Sequence, residues 1–119
     1  MSIINEMKVT SNYSVKKDLL TVKISKDSGS GKLVNLDDDF NLIFNEEGIP
    51  LYLEISNASS IFNANKFSLT RVNDIDLTID VEEDYVSLDA VFILSMYNKK
   101  EVFQFDFKVK NKEKIPKVE

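Results

Sequence analysis

The chain has 119 residues and a formal net charge of −5, with no Cys and no His. That length makes one domain that can bury a core without staples. Without Cys there is no disulfide framework, zinc ribbon or thiol catalysis, and without His the usual general base and the commonest metal ligand are gone.

Serine–histidine and cysteine–histidine mechanisms are therefore excluded, and any enzyme would run on carboxylates, Lys, Tyr or Ser. No apolar run approaches bilayer length. The N-terminal "MSIINEMKVTSNYS" lacks the apolar core of a signal peptide, so a cytoplasmic protein with no membrane partner is expected. The acidic balance argues against nucleic acid as a partner.

Alternation with period two runs through nearly the whole chain and reads as strands. In "LLTVKIS", Leu20, Val22 and Ile24 face one way while Thr21, Lys23 and Ser25 face the other. "KDSGSGK", residues 26 to 32, reads as a flexible loop. In "FNLIF", Phe40, Leu42 and Phe44 make an inward face. "NEEGIP" is a turn in which Gly48 supplies backbone freedom, so the flanking strands should form an antiparallel hairpin. Leu51, Leu53 and Ile55 then alternate with Tyr52, Glu54 and Ser56. Glu54 thus points away from the leucines and is expected to be at least partly solvated.

"SNASSIFNANKF" breaks the alternation. Ser56 or Asn57 is expected to cap one short helix near residues 57–63, with Ile61 and Phe62 turned inward. Asn57-Ala58-Ser59 and Asn12-Tyr13-Ser14 spell glycosylation acceptors, but without a secretion signal neither is expected to be modified. Beyond residue 65, Ile75, Leu77, Ile79 and Val81 alternate with acids, and "EED" is a turn. Val86, Leu88, Ala90, Phe92, Leu94 and Met96 form one face of the next strand. Val91 and Ile93 on its other face imply cover on both sides. "NKK" reads as a second turn, followed by Phe103, Phe105, Phe107 and Val109 on one face of a last strand. Three long antiparallel strands in a meander result. "NKEKIPKVE" is expected to fray.

The candidate sites are few. Asp37-Asp38-Asp39 with Asn41 has the look of a calcium loop, but an EF-hand starting at Asp37 needs Gly and Glu where Leu42 and Gly48 stand. Glu54 with Asp18 is one conceivable acid–base pair. "GSGK", residues 29 to 32, is not a phosphate-binding loop, because Leu33 follows the Lys. Asp74 to Asp89 is acidic without a base, whereas Lys99 to Lys117 is mostly basic. The two could complement each other across one meander, but a solvated polar face is the expected account of each charge. No catalytic, cofactor or metal residue is assigned.

Tyr13, then Asp18-Leu19-Leu20 entering "TVKIS", then "LVNLDDDFNLIFNEEGIPLYLEISNAS" resembles a small, mainly prokaryotic family known as domain of unknown function 2283. The resemblance covers residues 7–60 and ends in Glu54-Ile55-Ser56-Asn57-Ala58-Ser59. Ser14 departs from it, since the family places Asp directly after the tyrosine. The family has no activity to carry over. Its occurrence beside small toxin-like proteins implies an antitoxin or partner-binding role.

The sequence therefore predicts a mainly β protein of antiparallel sheets, with about six to seven strands in a β-sandwich or a partly closed barrel. Residues 1–62 form a small β module, 63–110 a three-stranded meander packed on it, and 111–119 a charged tail. The expected function is a non-catalytic protein-binding or assembly module without cofactors. The alternatives are an antitoxin-like regulator covering a basic toxin, and a carboxylate-based enzyme or metal-ion binder. The apolar face of the last strand, Phe103, Phe105, Phe107 and Val109, must be covered either by the N-terminal half or by a second copy, and a symmetric homodimer is the expected form of self-association.

Overall fold

The computed structural model describes residues 9–26 and 31–117. Most of the loop read from "KDSGSGK", including the first residues of "GSGK", lies outside the described residues, as does the N-terminal segment 1–8. Among the described residues eight strands form two antiparallel sheets. The first contains β1 (Thr10–Ser14), β2 (Leu19–Lys23), β3 (Lys32–Asp37), β4 (Phe40–Phe44) and β5 (Pro50–Ser56), in the spatial order β1-β2-β5-β4-β3. The second contains β6 (Val72–Val81), β7 (Tyr85–Met96) and β8 (Lys99–Lys110) in sequence order. Two helical turns, α1 (Ala58–Ile61) and α2 (Lys66–Leu69), link the sheets.

The sheets stack face to face as an open sandwich, not a closed barrel. Leu20, Val22, Phe40, Leu42, Phe44, Leu53 and Ile55 of the first sheet share one core with Leu77, Ile79, Val81, Val86, Leu88, Phe92 and Leu94 of the second. Every one of them sits at an alternate position of its strand, so the period-two pattern is the physical cause of the layer. Phe62 is 0% exposed and holds the seam. Its ring meets Phe92, Phe103 and Phe105 edge-on at 5.3, 5.1 and 5.4 Å. Phe40 meets Phe105 and Phe107 at 5.0 and 4.6 Å. The apolar face of β8 is thus partly covered from within the chain, and its side chains stay half-buried.

The hairpin around "NEEGIP" forms as expected. Asn45 organises it by accepting from the Glu47 and Ile49 amides at 2.9 Å each. Gly48 has φ 88°, and a Cβ there would lie 2.3 Å from the carbonyl oxygen of Pro116. That close approach comes from the C-terminal segment, which does not fray over residues 111–117. Ile115 is buried, and the Asn111 side chain bonds both Ile115 backbone groups and the Glu82 carbonyl.

Other expectations need correction. The described residues form eight strands, because two short ones add to those expected: β1 is polar without an alternating apolar face, and β3 buries only Val34 and Leu36. There are two helical turns instead of one. Asn57 stands at the α1 N-cap but has φ 51° and makes no side-chain cap bond. Val91 and Ile93 are half-exposed on an outer face over which no further layer packs among the described residues. The β7–β8 turn is Tyr97-Asn98, not Asn98-Lys99-Lys100. Both turn residues have positive φ, 51° and 64°, the mark of a two-residue hairpin. No helix among the described residues is long and apolar enough to cross a membrane.

Phe62→Ala removes the ring, set between the two sheets in the chain, that packs on Phe92, Phe103 and Phe105. It should lower unfolding free energy by about 3–5 kcal/mol in a denaturant titration. A loss below about 1 kcal/mol would show that the seam is held elsewhere.

Candidate functional site

Three places bring polar chemistry together. The first is the β1–β2 turn. Asp18 adopts φ 52° there, and its carboxylate accepts from the Tyr13 hydroxyl at 2.5 Å, the Ser59 amide at 3.0 Å and the Ser59 hydroxyl at 2.6 Å. Its backbone carbonyl accepts from the Ala58 amide at 3.1 Å. Asp18 therefore supplies the cap that Asn57 does not, satisfying the first free amides of α1 from a distant turn. Burial alone pushes the Asp18 carboxyl up. The Ser59 and Tyr13 hydrogen bonds and the nearby Lys66 charge outweigh it and hold the group below the usual carboxylate range. Burial and the bond to Asp18 push the Tyr13 hydroxyl up to about 12.

Glu54 does not join this cluster. It stands between Thr21 and Asn41 on the outer face of the five-stranded sheet, half-exposed, while Leu53 and Ile55 are 0% exposed. Its expected orientation is therefore observed. Thr21, not Asp18, is the β2 residue opposite Glu54, and the Asp18 carboxylate is engaged by Tyr13 and Ser59. Asp18 and Glu54 form no acid–base pair.

The second place is a groove of about 760 Å³ between the β3 and β8 edges. Val34, Leu36 and Val109 line it, with Asp37 and Asp38 among its acids and Lys110 and Lys112 among its bases. Asp39 leaves this loop in the other direction, its carboxylate accepting from the Asn57 side chain at 2.9 Å.

The third place is the outer face of β6–β7–β8. The register sets Thr78, Asp89 and Asp106 in one row, with Asp76, Val91 and Gln104 in the next. Asp80, Ser87 and Lys108 form the row on the other side. Asp89 and Asp106 are directly opposite, and sharing a proton between them, with partial burial and mutual repulsion, pushes the Asp89 carboxyl up. Asp80 Oδ2 accepts from the Tyr85 hydroxyl at 3.2 Å, while Asp80 Oδ1 is buried without a hydrogen bond in the protein. The acidic and basic stretches do not complement each other directly across the sheet, because β7 lies between β6 and β8. Tyr85 relays one link, with Lys108 Nζ 4.2 Å above its ring and its hydroxyl on Asp80. At the end of the sheet Lys117 pairs with Glu82 at 3.2 Å.

The juxtaposition of Asp89 with Asp106 was hidden in the sequence by the misplaced turn. With Tyr97-Asn98 as the two turn residues, Met96 faces Lys99 and Asp89 faces Asp106. A tyrosine at positive φ gives little warning of such a turn. No group of three or more acidic, Cys or His side chains that could hold a metal occurs among the described residues.

Comparisons with family models, with curated proteins and with solved structures find no match.

The two carboxylates should affect stability with opposite signs. Asp18, whose folded value is lowered, contributes stability above the usual carboxylate range that is lost as pH falls through that folded value. Asp89, whose folded value is raised, contributes stability at low pH that is lost as pH rises through its folded value. Asp18→Asn should cost about 1–2 kcal/mol at pH 7 and flatten the acid limb of the stability curve. Asp89→Asn should gain about 0.5–1 kcal/mol at pH 7. Denaturant midpoints measured from pH 3 to pH 8 check both, and the same sign for the two variants at pH 7 would contradict the assignment.

Proposed function

We propose that this chain is a non-catalytic protein-binding module that presents the outer face of β6–β7–β8 to a basic partner. The observation that supports this reading is the carboxylate arrangement on that face. Like charges placed directly opposite destabilise a sheet, and Asp89 faces Asp106. A buried acceptor without a donor is also costly, and Asp80 Oδ1 is one. Features that weaken a fold persist where function requires them. A cationic surface docked on this face offsets the Asp89–Asp106 repulsion, with Asp76 and Asp74 adding to the attraction. The exposed Val102 and half-exposed Val91 and Ile93 provide an apolar centre for such a contact.

A narrower form of the same proposal is an antitoxin-like regulator covering a small basic toxin, as the resemblance to domain of unknown function 2283 implies. The residues carrying that resemblance most distinctly, Tyr13, Asp18 and Ser59, serve here to tie β1–β2 to α1. In this reading they stabilise the module and do not contact the partner.

Hexalysine is a defined cationic probe. Titrated into the ¹⁵N-labelled protein, it should move the amide resonances of Asp76, Thr78, Asp89 and Asp106 most, with an effect that fades as salt screens the charges. Asp89→Asn with Asp106→Asn should raise stability and weaken the probe's binding several-fold. Shifts centred instead on Glu54 and its neighbours, or unaffected by the double variant, would defeat the proposal.

A further inference from the structure

Among the described strands the least protected edge is β8. β3 and β6 each carry a bulge, β1 is short and polar, and β6 is lined with acids. β8 pairs with β7 along its whole length without a register break, and among the described residues nothing in the second sheet lies beyond it. Its inward side chains Phe103, Phe105, Phe107 and Val109 are only half-buried, although they face the core. The groove between the edges of β3 and β8 opens beside its C-terminal end. A long straight edge with half-covered aromatics is a template for another strand.

We infer that a second copy of this chain occupies the edge, its β8 pairing antiparallel with the first about a two-fold axis at Phe107. In a two-fold antiparallel pair, a residue can face itself, and residues of like orientation then face each other symmetrically about it. Centring on Gln104 sets Lys100 against Lys108 of the second copy. Centring on Phe105 sets Lys100 against Lys110, and centring on Asp106 sets Asp106 against itself. Centring on Phe103 places Glu101 and Lys99 against Phe105 and Phe107. At Phe107 the outer face gains two reciprocal Asp106–Lys108 pairs. The inner face then matches Phe107 with itself and Phe105 with Val109. Of these registers it alone joins opposite charges while keeping apolar side chains opposite apolar ones.

The pairing also offsets the repulsion at Asp106, which acquires a lysine on the side away from Asp89. It closes the β8 edge, since both copies use the same strand, and makes one six-stranded sheet. Because the axis is perpendicular to that sheet, the acidic faces of both copies lie on the same side. The dimer is therefore compatible with a basic partner but does not depend on one.

Charge reversal tests this register. Lys108→Glu sets a new carboxylate against Asp106 of the second copy, and Asp106→Lys sets two lysines together. Each variant alone should therefore dimerise at least about tenfold more weakly than the parent. Mixed in equal amounts, the two variants should form a heterodimer, because both contacts then join opposite charges. The doubly reversed chain, D106K with K108E, should dimerise by itself. Light scattering after gel filtration reads the masses, and circular dichroism confirms that each variant is folded. A parent chain that is monomeric up to millimolar concentration would overturn the inference. So would single variants that dimerise as the parent does, or a mixture that remains monomeric.

Discussion

Everything in this structure depends on a single apolar layer shared by two sheets. Each strand of the core alternates, so each gives one face to the layer and the other to solvent. Phe62 lies where the chain passes between the sheets, and its edge-on contacts with Phe92, Phe103 and Phe105 lock the second sheet onto the first. Phe40 does the same with Phe105 and Phe107 from the first sheet itself. Because the interior is filled with aromatic and aliphatic side chains, chemistry is confined to outer faces, edges and turns. The functional reading follows from that confinement.

Two aspartates show how differently the same group is used on those surfaces. Asp18 is fully engaged, with donors from Tyr13 and Ser59 and its carbonyl on the Ala58 amide. It closes a contact between residues far apart in the chain and favours its charged form. Asp89 faces another carboxylate and favours the shared proton. The first arrangement stabilises the fold, and the second works against it. Only the second has something to gain from an external cation.

Much of this was legible in the sequence. The alternation in β2, β4, β5, β6, β7 and β8 revealed the strands, their inward faces and the orientation of Glu54. The Asn45–Gly48 turn announced its hairpin. The short strands β1 and β3 were harder to read, because "TSNYS" has no alternating apolar face and "KLVNLD" offers only Val34 and Leu36 as inward positions before its bulge. The α1 cap was also not legible, since it comes from Asp18 across the fold and the adjacent Asn57 gives a false signal. The acidic face was visible as composition, but its central pair was not. A shift in the placement of the β7–β8 turn changes which residues meet across those strands, and positive φ at Tyr97 is a poor sequence cue. The buried Ile115 was concealed by the charges around it.

A basic partner has something to offset on this face only if the Asp89–Asp106 pair is a real repulsion in the isolated fold. Its most direct test is the pH titration of the side-chain carboxyl carbons by ¹³C NMR in the parent protein. Asp89 should titrate above the usual carboxylate range, and the elevation should disappear when Asp106 is replaced by Asn. An Asp89 that titrates in the usual range, or whose elevation survives Asp106→Asn, would contradict it.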